Sequence, residues 1–143
     1  MSYNQWFEAH AAKHRQIIQK LLKQGYSNDS IVEYFHFENM LEKEPEFCPL
    51  YAQERKCHDM KRLNCYLCAC PNFRFDDNAQ PDASGKTRYS YCAIDSKEGG
   101  TIEHHGALHQ DCSKCTVPHH LNYVKEHFDT EWLEIMKACR PRD

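Results

Sequence analysis

Clustered cysteines are the feature that most constrains what this chain can fold into. The sequence has nine cysteines in 143 residues, and eight of them lie between positions 48 and 115. Cysteines that only fill apolar space would not need to cluster in this way. An odd number of cysteines argues against a framework of disulfide bonds. The first twenty positions carry charged residues where a signal peptide would have an apolar core, which argues against export. We therefore expect a cytoplasmic metal-binding or redox protein.

The spacing of the cysteines favours thiolate ligands of a soft metal. Cys65 with Cys68, and Cys112 with Cys115, form two C-x-x-C motifs, in which a tight turn lets two sulfurs reach one metal. Eight thiolates are the number of ligands that two four-coordinate sites require. The predicted metal ligands are Cys48, Cys57, Cys65, Cys68, Cys70, Cys92, Cys112 and Cys115. The ninth cysteine, Cys139, is interpreted as an apolar residue of a C-terminal helix.

Two histidines lie close to these cysteines in the sequence. His58 follows Cys57 directly, and His119 comes shortly after Cys115. Each is a candidate metal ligand, or a hydrogen-bond partner that orients a ligand. Because eight cysteines already suffice for two sites, neither histidine is required as a ligand.

At these positions the chain resembles a known family. The shared skeleton is Cys-Pro, Cys-His, a dense C-x-x-C-x-C-P run followed by an aromatic residue, a single Cys, and a final C-x-x-C with a nearby His. In this sequence it comprises Cys48-Pro49, Cys57-His58, Cys65 to Pro71 with Phe73, Cys92, Cys112, Cys115 and His119. Over about residues 47–120 the sequence resembles the cysteine-rich small-domain, or zinc-finger-like, family of archaea and anaerobic bacteria. The resemblance implies metal binding and no catalytic activity.

The identity of the metal stays open between two cofactors. Zn²⁺ would suit the two C-x-x-C motifs as one closed tetrahedral site, which leaves Cys48, Cys57, Cys70 and Cys92 for a second. One or two [4Fe-4S] clusters are favoured slightly, because three cysteines within six residues precede Pro71, as Cys-Pro ends the cluster loop of ferredoxins.

The predicted fold is α+β, a small domain stapled by metal. Residues 1–45 contain no cysteine and are predicted to form an amphipathic helical hairpin, an N-terminal extension that packs on a cysteine-rich metal-binding domain, residues 46–143. Ser2 with Gln5 has capping-box spacing, Gly25 is placed to end the first helix, and Ser27 to begin the second. His10 and His14 fall on the apolar face of the first helix and are predicted to be packing residues.

The second part of the chain is predicted to be an irregular cysteine-rich core with a short β-hairpin and C-terminal helices. The hairpin would pair residues 89–93 with a strand that begins at Thr101. We expect one helix to start at Pro118 and a last one to be capped by Thr130.

Charge and hydropathy exclude several functions. Residues 1–45 hold five Lys or Arg against six Asp or Glu, a net charge of −1, which argues against a nucleic-acid interface despite a helix-turn-helix-like pattern around Gly25. No apolar run is long enough to cross a bilayer. Without a glycine-rich phosphate loop or a hydrolytic metal motif, a non-enzymatic role is expected.

Three functional hypotheses remain. The first is a cytosolic iron–sulfur protein with a redox, sensing or cofactor-metabolism support role. The second is a zinc-stapled module whose helical hairpin binds a protein partner. The third is an enzyme with an open metal position, which requires fewer than four protein ligands at one metal.

Overall fold

A computed structural model describes residues 2–137, which form a mixed helix and sheet architecture of the predicted α+β type. Cys139 lies outside these residues. The helices are α1 (Tyr3–Lys23), α2 (Asn28–Tyr34), α3 (Phe37–Lys43), α4 (Leu121–Glu126) and α5 (Trp132–Met136), with 3₁₀ turns at Pro49–Gln53 and Val117–His119. The strands are β1 (Phe73–Phe75), β2 (Thr87–Arg88), β3 (Ser90–Cys92), β4 (Gly100–His104) and β5 (Ala107–Asp111). Within residues 2–137, no helix has both the length and the apolar character needed to cross a membrane.

The signals at the ends of the first two helices are confirmed. The Ser2 hydroxyl accepts a hydrogen bond from the Gln5 amide, and the Gln5 side chain accepts one from the Ser2 amide, which completes the capping box of α1. Gly25 follows α1 with φ at 82°, a conformation that glycine adopts without steric cost. Ser27 then caps α2 by accepting a hydrogen bond from the Ser30 amide.

One hydrophobic core joins the helices to the cysteine region. Its members share near-complete burial and include Ile17, Leu21, Ile31, Phe35, Met40, Leu63, Cys65, Tyr66, Leu67 and Val124. His10 and His14 are also buried, as predicted for packing residues on the apolar face of α1. The His14 ring lies edge-on to Tyr66, and its Nε2 donates to the Tyr66 carbonyl at 3.2 Å. The conformation of the chain just before Cys68 is therefore tied directly to α1.

The strands pair differently from the sequence prediction. β3 pairs antiparallel with β1, while β4 forms an antiparallel hairpin with β5, and β2 lies parallel to β5 on its other side. The predicted hairpin between residues 89–93 and a strand beginning at Thr101 is therefore wrong. His105 and Gly106 have φ of 49° and 81° and supply the two-residue turn that joins β4 to β5.

The last helix also begins differently from the prediction. Its N-cap is Glu131 and not Thr130. Glu131 is held there because its amide donates to the Asp129 carboxylate at 2.8 Å and its own carboxylate accepts from Arg15 of α1 at 2.8 Å. The contact with Arg15 of α1 is a long-range one, which local capping rules do not include.

Candidate metal centre

Both C-x-x-C motifs fold as the predicted tight turns. The Cys68 amide donates to the Cys65 carbonyl at 3.1 Å, and the Cys115 amide donates to the Cys112 carbonyl at 3.0 Å. The first turn is also anchored to the helical core, since the Cys65 amide donates to the Phe35 carbonyl at 2.7 Å. Each turn makes its two cysteines neighbours, as paired ligation requires.

Seven of the eight predicted ligand cysteines fall into two sets of neighbouring thiols. The first thiol group is Cys48, Cys57, Cys65 and Cys68, because the charges of neighbouring thiols in this set raise the pKa values of Cys57, Cys65 and Cys68. In the same way Cys115 and Cys92 raise the pKa of Cys112, and these three cysteines are the second thiol group.

Cys65 and Cys68 thus have their thiol neighbours in the first group, and Cys112 has its neighbours in the second. The zinc site predicted from both C-x-x-C motifs stays a prediction. Between the groups, Ala69 and Cys70 adopt consecutive left-handed conformations, with φ of 79° and 55°, and redirect the chain. Such conformations cost free energy in non-glycine residues and persist only where the surroundings impose them.

Burial keeps Cys65 and Cys68 protonated when no cation is bound. It raises the pKa of Cys65 to about 12 and moves the pKa of Cys68 well above its usual value, with further increases from the neighbouring thiols. The Tyr51 hydroxyl, directed at Cys65, partly opposes this increase, and among residues 2–137 it has no partner in normal hydrogen-bond geometry. Buried thiols are poor nucleophiles, but a bound metal cation would deprotonate them and give this hydroxyl a thiolate to bind.

Ser96 connects two members of the second thiol group. Its amide donates to Cys92 Sγ at 3.5 Å, and its hydroxyl lies 3.3 Å from Cys115 Sγ. Burial again raises a thiol pKa here, that of Cys112 to about 11. Hydrogen bonds from backbone and hydroxyl groups to sulfur are the contacts that stabilise metal-bound thiolates and tune iron–sulfur potentials.

A cavity of about 730 Å³ lies between the two groups. It is bounded by the first turn of α1, by the strands around β3 and by the cysteine loops. Six of the predicted ligands line it, and these are Cys57, Cys68, Cys70, Cys92, Cys112 and Cys115. Apolar side chains such as Phe7, Phe73 and Ile94 supply much of the remaining wall. Cys48 and Cys65 are not among the lining residues, so the cavity joins most but not all of the candidate ligands.

The two candidate histidines meet at Cys57. His58 Nδ1 lies 3.0 Å from Cys57 Sγ, and His119 Nε2 lies 3.5 Å from the same sulfur. His58 Nε2 donates to the Cys112 carbonyl at 3.0 Å, and His119 Nδ1 donates to the Asn64 carbonyl at 2.9 Å. Burial lowers the pKa of His119 to about 4, so this ring is neutral at physiological pH. In the described part of the chain, these are the only three His, Cys, Asp or Glu residues whose ligand atoms all lie within 4.8 Å of one another.

Asn64 is a positioning residue that the sequence analysis missed. Its carbonyl holds His119 Nδ1, its amide donates to the His119 carbonyl at 3.1 Å, and its side-chain amide donates to the Val32 carbonyl at 2.8 Å. Asn64 therefore connects the histidine to α2. Nothing in the sequence relates position 64 to position 119, so spacing alone carries no signal for this contact.

Comparison with known proteins adds no assignment. No family model, curated protein or solved structure matches the chain. The resemblance to the cysteine-rich small-domain family remains a prediction, and the function has to be argued from the residues themselves.

Proposed function

We propose that this protein is a cysteine-liganded metalloprotein that holds an iron–sulfur cluster in the cavity beside the second thiol group, in a redox, sensing or cofactor-metabolism support role. The observation that carries the proposal is the cavity itself, since six thiols line one largely apolar space of about 730 Å³. Cys70, Cys92, Cys112 and Cys115 are the four proposed ligands of this cluster. A second metal site is proposed at Cys57, on the edge of the first thiol group.

The separation of the sulfurs supports a cluster over a single zinc ion. Zinc–sulfur bonds of about 2.3 Å place the sulfurs of a tetrahedral site about 3.8 Å apart. In residues 2–137, no three cysteine sulfurs lie within 4.8 Å of one another. An iron–sulfur cluster puts a core of several iron and sulfide atoms between its cysteines and therefore holds their sulfurs farther apart.

The walls of the cavity supply what such a cluster needs from the protein. Phe7, Phe73 and Ile94 contribute apolar surface to the walls. The Ser96 amide and hydroxyl lie within hydrogen-bond distance of two ligand sulfurs. Burial disfavours the more negative, reduced state of a cluster, whereas hydrogen bonds to its sulfurs favour that state. Together these contacts would set the reduction potential of a bound cluster.

Anaerobic purification with metal analysis tests the proposal. We expect brown protein with broad visible absorption, containing iron and acid-labile sulfide in equal amounts. Cys92→Ser and Cys115→Ser should lose both the colour and the iron, whereas Cys139→Ser, the control thiol, should keep them. Colourless wild-type protein that contains only zinc, even after reconstitution with iron and sulfide under anaerobic conditions, would refute the proposal.

Structural zinc is the second candidate, and the two C-x-x-C turns favour it. Both have the hydrogen-bonded geometry of a zinc-binding turn. The protein would then be an interaction module, with exposed apolar residues of the helical hairpin, Trp6 and Leu22, available to a protein partner. Cys65→Ser and Cys115→Ser would unfold residues 48–120 with either metal, so metal analysis and not stability distinguishes the two.

A further inference from the structure

We infer that Cys57, His58 and His119 form a separate mononuclear site for a borderline divalent cation of the Zn²⁺ class, with a coordination position open to the cavity. The inference extends the proposed function, because it assigns the edge of the first thiol group to one ion held by nitrogen and sulfur. Cys48, Cys65 and Cys68, with all of the cluster ligands, stay outside this mononuclear site.

Hydrogen bonding defines which ring nitrogens are free to bind. A backbone carbonyl can only accept, so His58 Nε2 must carry the proton that it shares with the Cys112 carbonyl. For the same reason His119 Nδ1 must carry the proton that it shares with the Asn64 carbonyl. In the neutral rings, His58 Nδ1 and His119 Nε2 therefore present lone pairs, and both point at Cys57 Sγ.

A thiol cannot satisfy this arrangement. Cys57 has one S–H hydrogen, which can be given to one nitrogen and leaves the other lone pair facing sulfur without a proton. A cation among the three atoms satisfies all of them at once. Carbonyl groups that fix the tautomer of a ligating histidine are also the usual support of metal-bound imidazole.

The donor set and its surroundings identify the class of ion. One thiolate and two imidazoles are ligands that zinc accepts, while Mg²⁺ and Ca²⁺ require oxygen. His119 is buried, His58 is half-buried, and Cys57 is exposed, so the site lies at the protein surface. All three residues also line the cavity, which leaves the fourth position of a tetrahedral ion facing that space. The ion would therefore have a free coordination position, which a closed four-cysteine site does not have.

Two substitutions remove a ligand nitrogen and keep the neighbouring hydrogen bond. In His58→Gln, the side-chain amide replaces Nε2 as donor to the Cys112 carbonyl and Nδ1 is lost. In His119→Asn, the side-chain amide replaces Nδ1 as donor to the Asn64 carbonyl and Nε2 is lost. His120→Gln is the matched control, because His120 adjoins His119 but is exposed and contacts the Thr116 hydroxyl.

The experiment counts metals in anaerobically purified protein after exposure to excess Zn²⁺ and removal of unbound metal. We expect about one zinc ion per chain in wild type and in His120→Gln, and at least a tenfold weaker zinc affinity in His58→Gln and His119→Asn. Iron content should be the same in all four proteins. Circular dichroism checks that the variants are folded, and His58→Gln, at the half-buried position, is the safer of the two.

The outcomes separate this inference from the proposed function. The mononuclear site would be overturned if zinc bound equally well to wild type and to both folded variants. It would also be overturned if wild type bound no zinc. If the purified protein contains no iron but both variants still lose zinc, the cluster is refuted and the mononuclear site is supported. Azide added to Co²⁺-substituted wild type should change the visible cobalt bands if the fourth position is open, and unchanged bands would refute that part.

Discussion

His14 gives the protein a calculable sensitivity to acid. Its ring is fully buried against Phe35 and Tyr66, with Nε2 donating to the Tyr66 carbonyl at 3.2 Å. Nδ1 is also buried and has no hydrogen-bond partner among the described residues. Burial first, and then the charge of a protonated His10, lowers the pKa of His14 from 6.5 to about 3. A proton on this ring would therefore place an uncompensated charge in the core.

The sign of the pH dependence follows from this depressed pKa. In the unfolded chain His14 takes up a proton as the pH falls below 6.5, while in the folded protein it stays neutral until about pH 3. The contribution of His14 to stability is therefore complete above pH 6.5 and is lost as the pH falls from there towards 3. At about pH 5 the unfolded histidine is almost fully protonated, which favours unfolding by about 2 kcal/mol.

Urea unfolding of wild type and His14→Gln at about pH 7.5 and about pH 5 measures this term. Glutamine keeps an N–H donor for the Tyr66 carbonyl but does not titrate. We expect wild type to lose about 2 kcal/mol more than the variant between the two pH values. Acid release of any bound metal would occur in both proteins and would cancel in the comparison.

The exposed His104 supplies the control, since His104→Gln should leave the wild-type pH dependence unchanged. An equal loss of stability in wild type and His14→Gln would refute the assignment of the acid sensitivity to this buried ring. So would a control variant that reduces the pH dependence as much as His14→Gln does.

Three further predictions concern the scaffold around the candidate sites. Asn64→Ala should lower the free energy of unfolding by about 2 kcal/mol, because its side chain bridges the Val32 carbonyl and the Tyr66 amide; a change within error in urea titrations would contradict this bridging role. Trp132→Ala should cost about 3 to 5 kcal/mol, since it removes a side chain that is 1% exposed, and a calorimetric unfolding temperature within about 2 °C of wild type would refute that burial. Gly106→Ala should cost about 1 kcal/mol because its φ is 81°, whereas Ser84→Ala in the exposed loop is a control expected to change stability by less than about 0.5 kcal/mol. Equal urea midpoints for Gly106→Ala and wild type would show that the β4–β5 turn tolerates a side chain at this position.

Short-range features of the structure could be predicted because neighbouring residues determine them. The capping box of α1 depends on Ser2 and Gln5, three positions apart, and the end of this helix on one glycine. The C-x-x-C turns are equally local, and their amide-to-carbonyl hydrogen bonds close within four residues. Burial of His10 and His14 followed from helical periodicity, since positions four apart share a face.

The local turns at the cysteines and the helical hairpin before them thus follow from residues close together in the sequence. Which cysteines become neighbours depends on the whole fold, which places Cys65 in the first thiol group and Cys112 in the second. The whole fold also determines how the strands pair and which ring nitrogens of His58 and His119 are free to bind a metal. Those nitrogens depend on carbonyls 54 and 55 residues away in the chain. Spacing specifies contacts within a turn, whereas contacts across such distances follow from how the whole core packs.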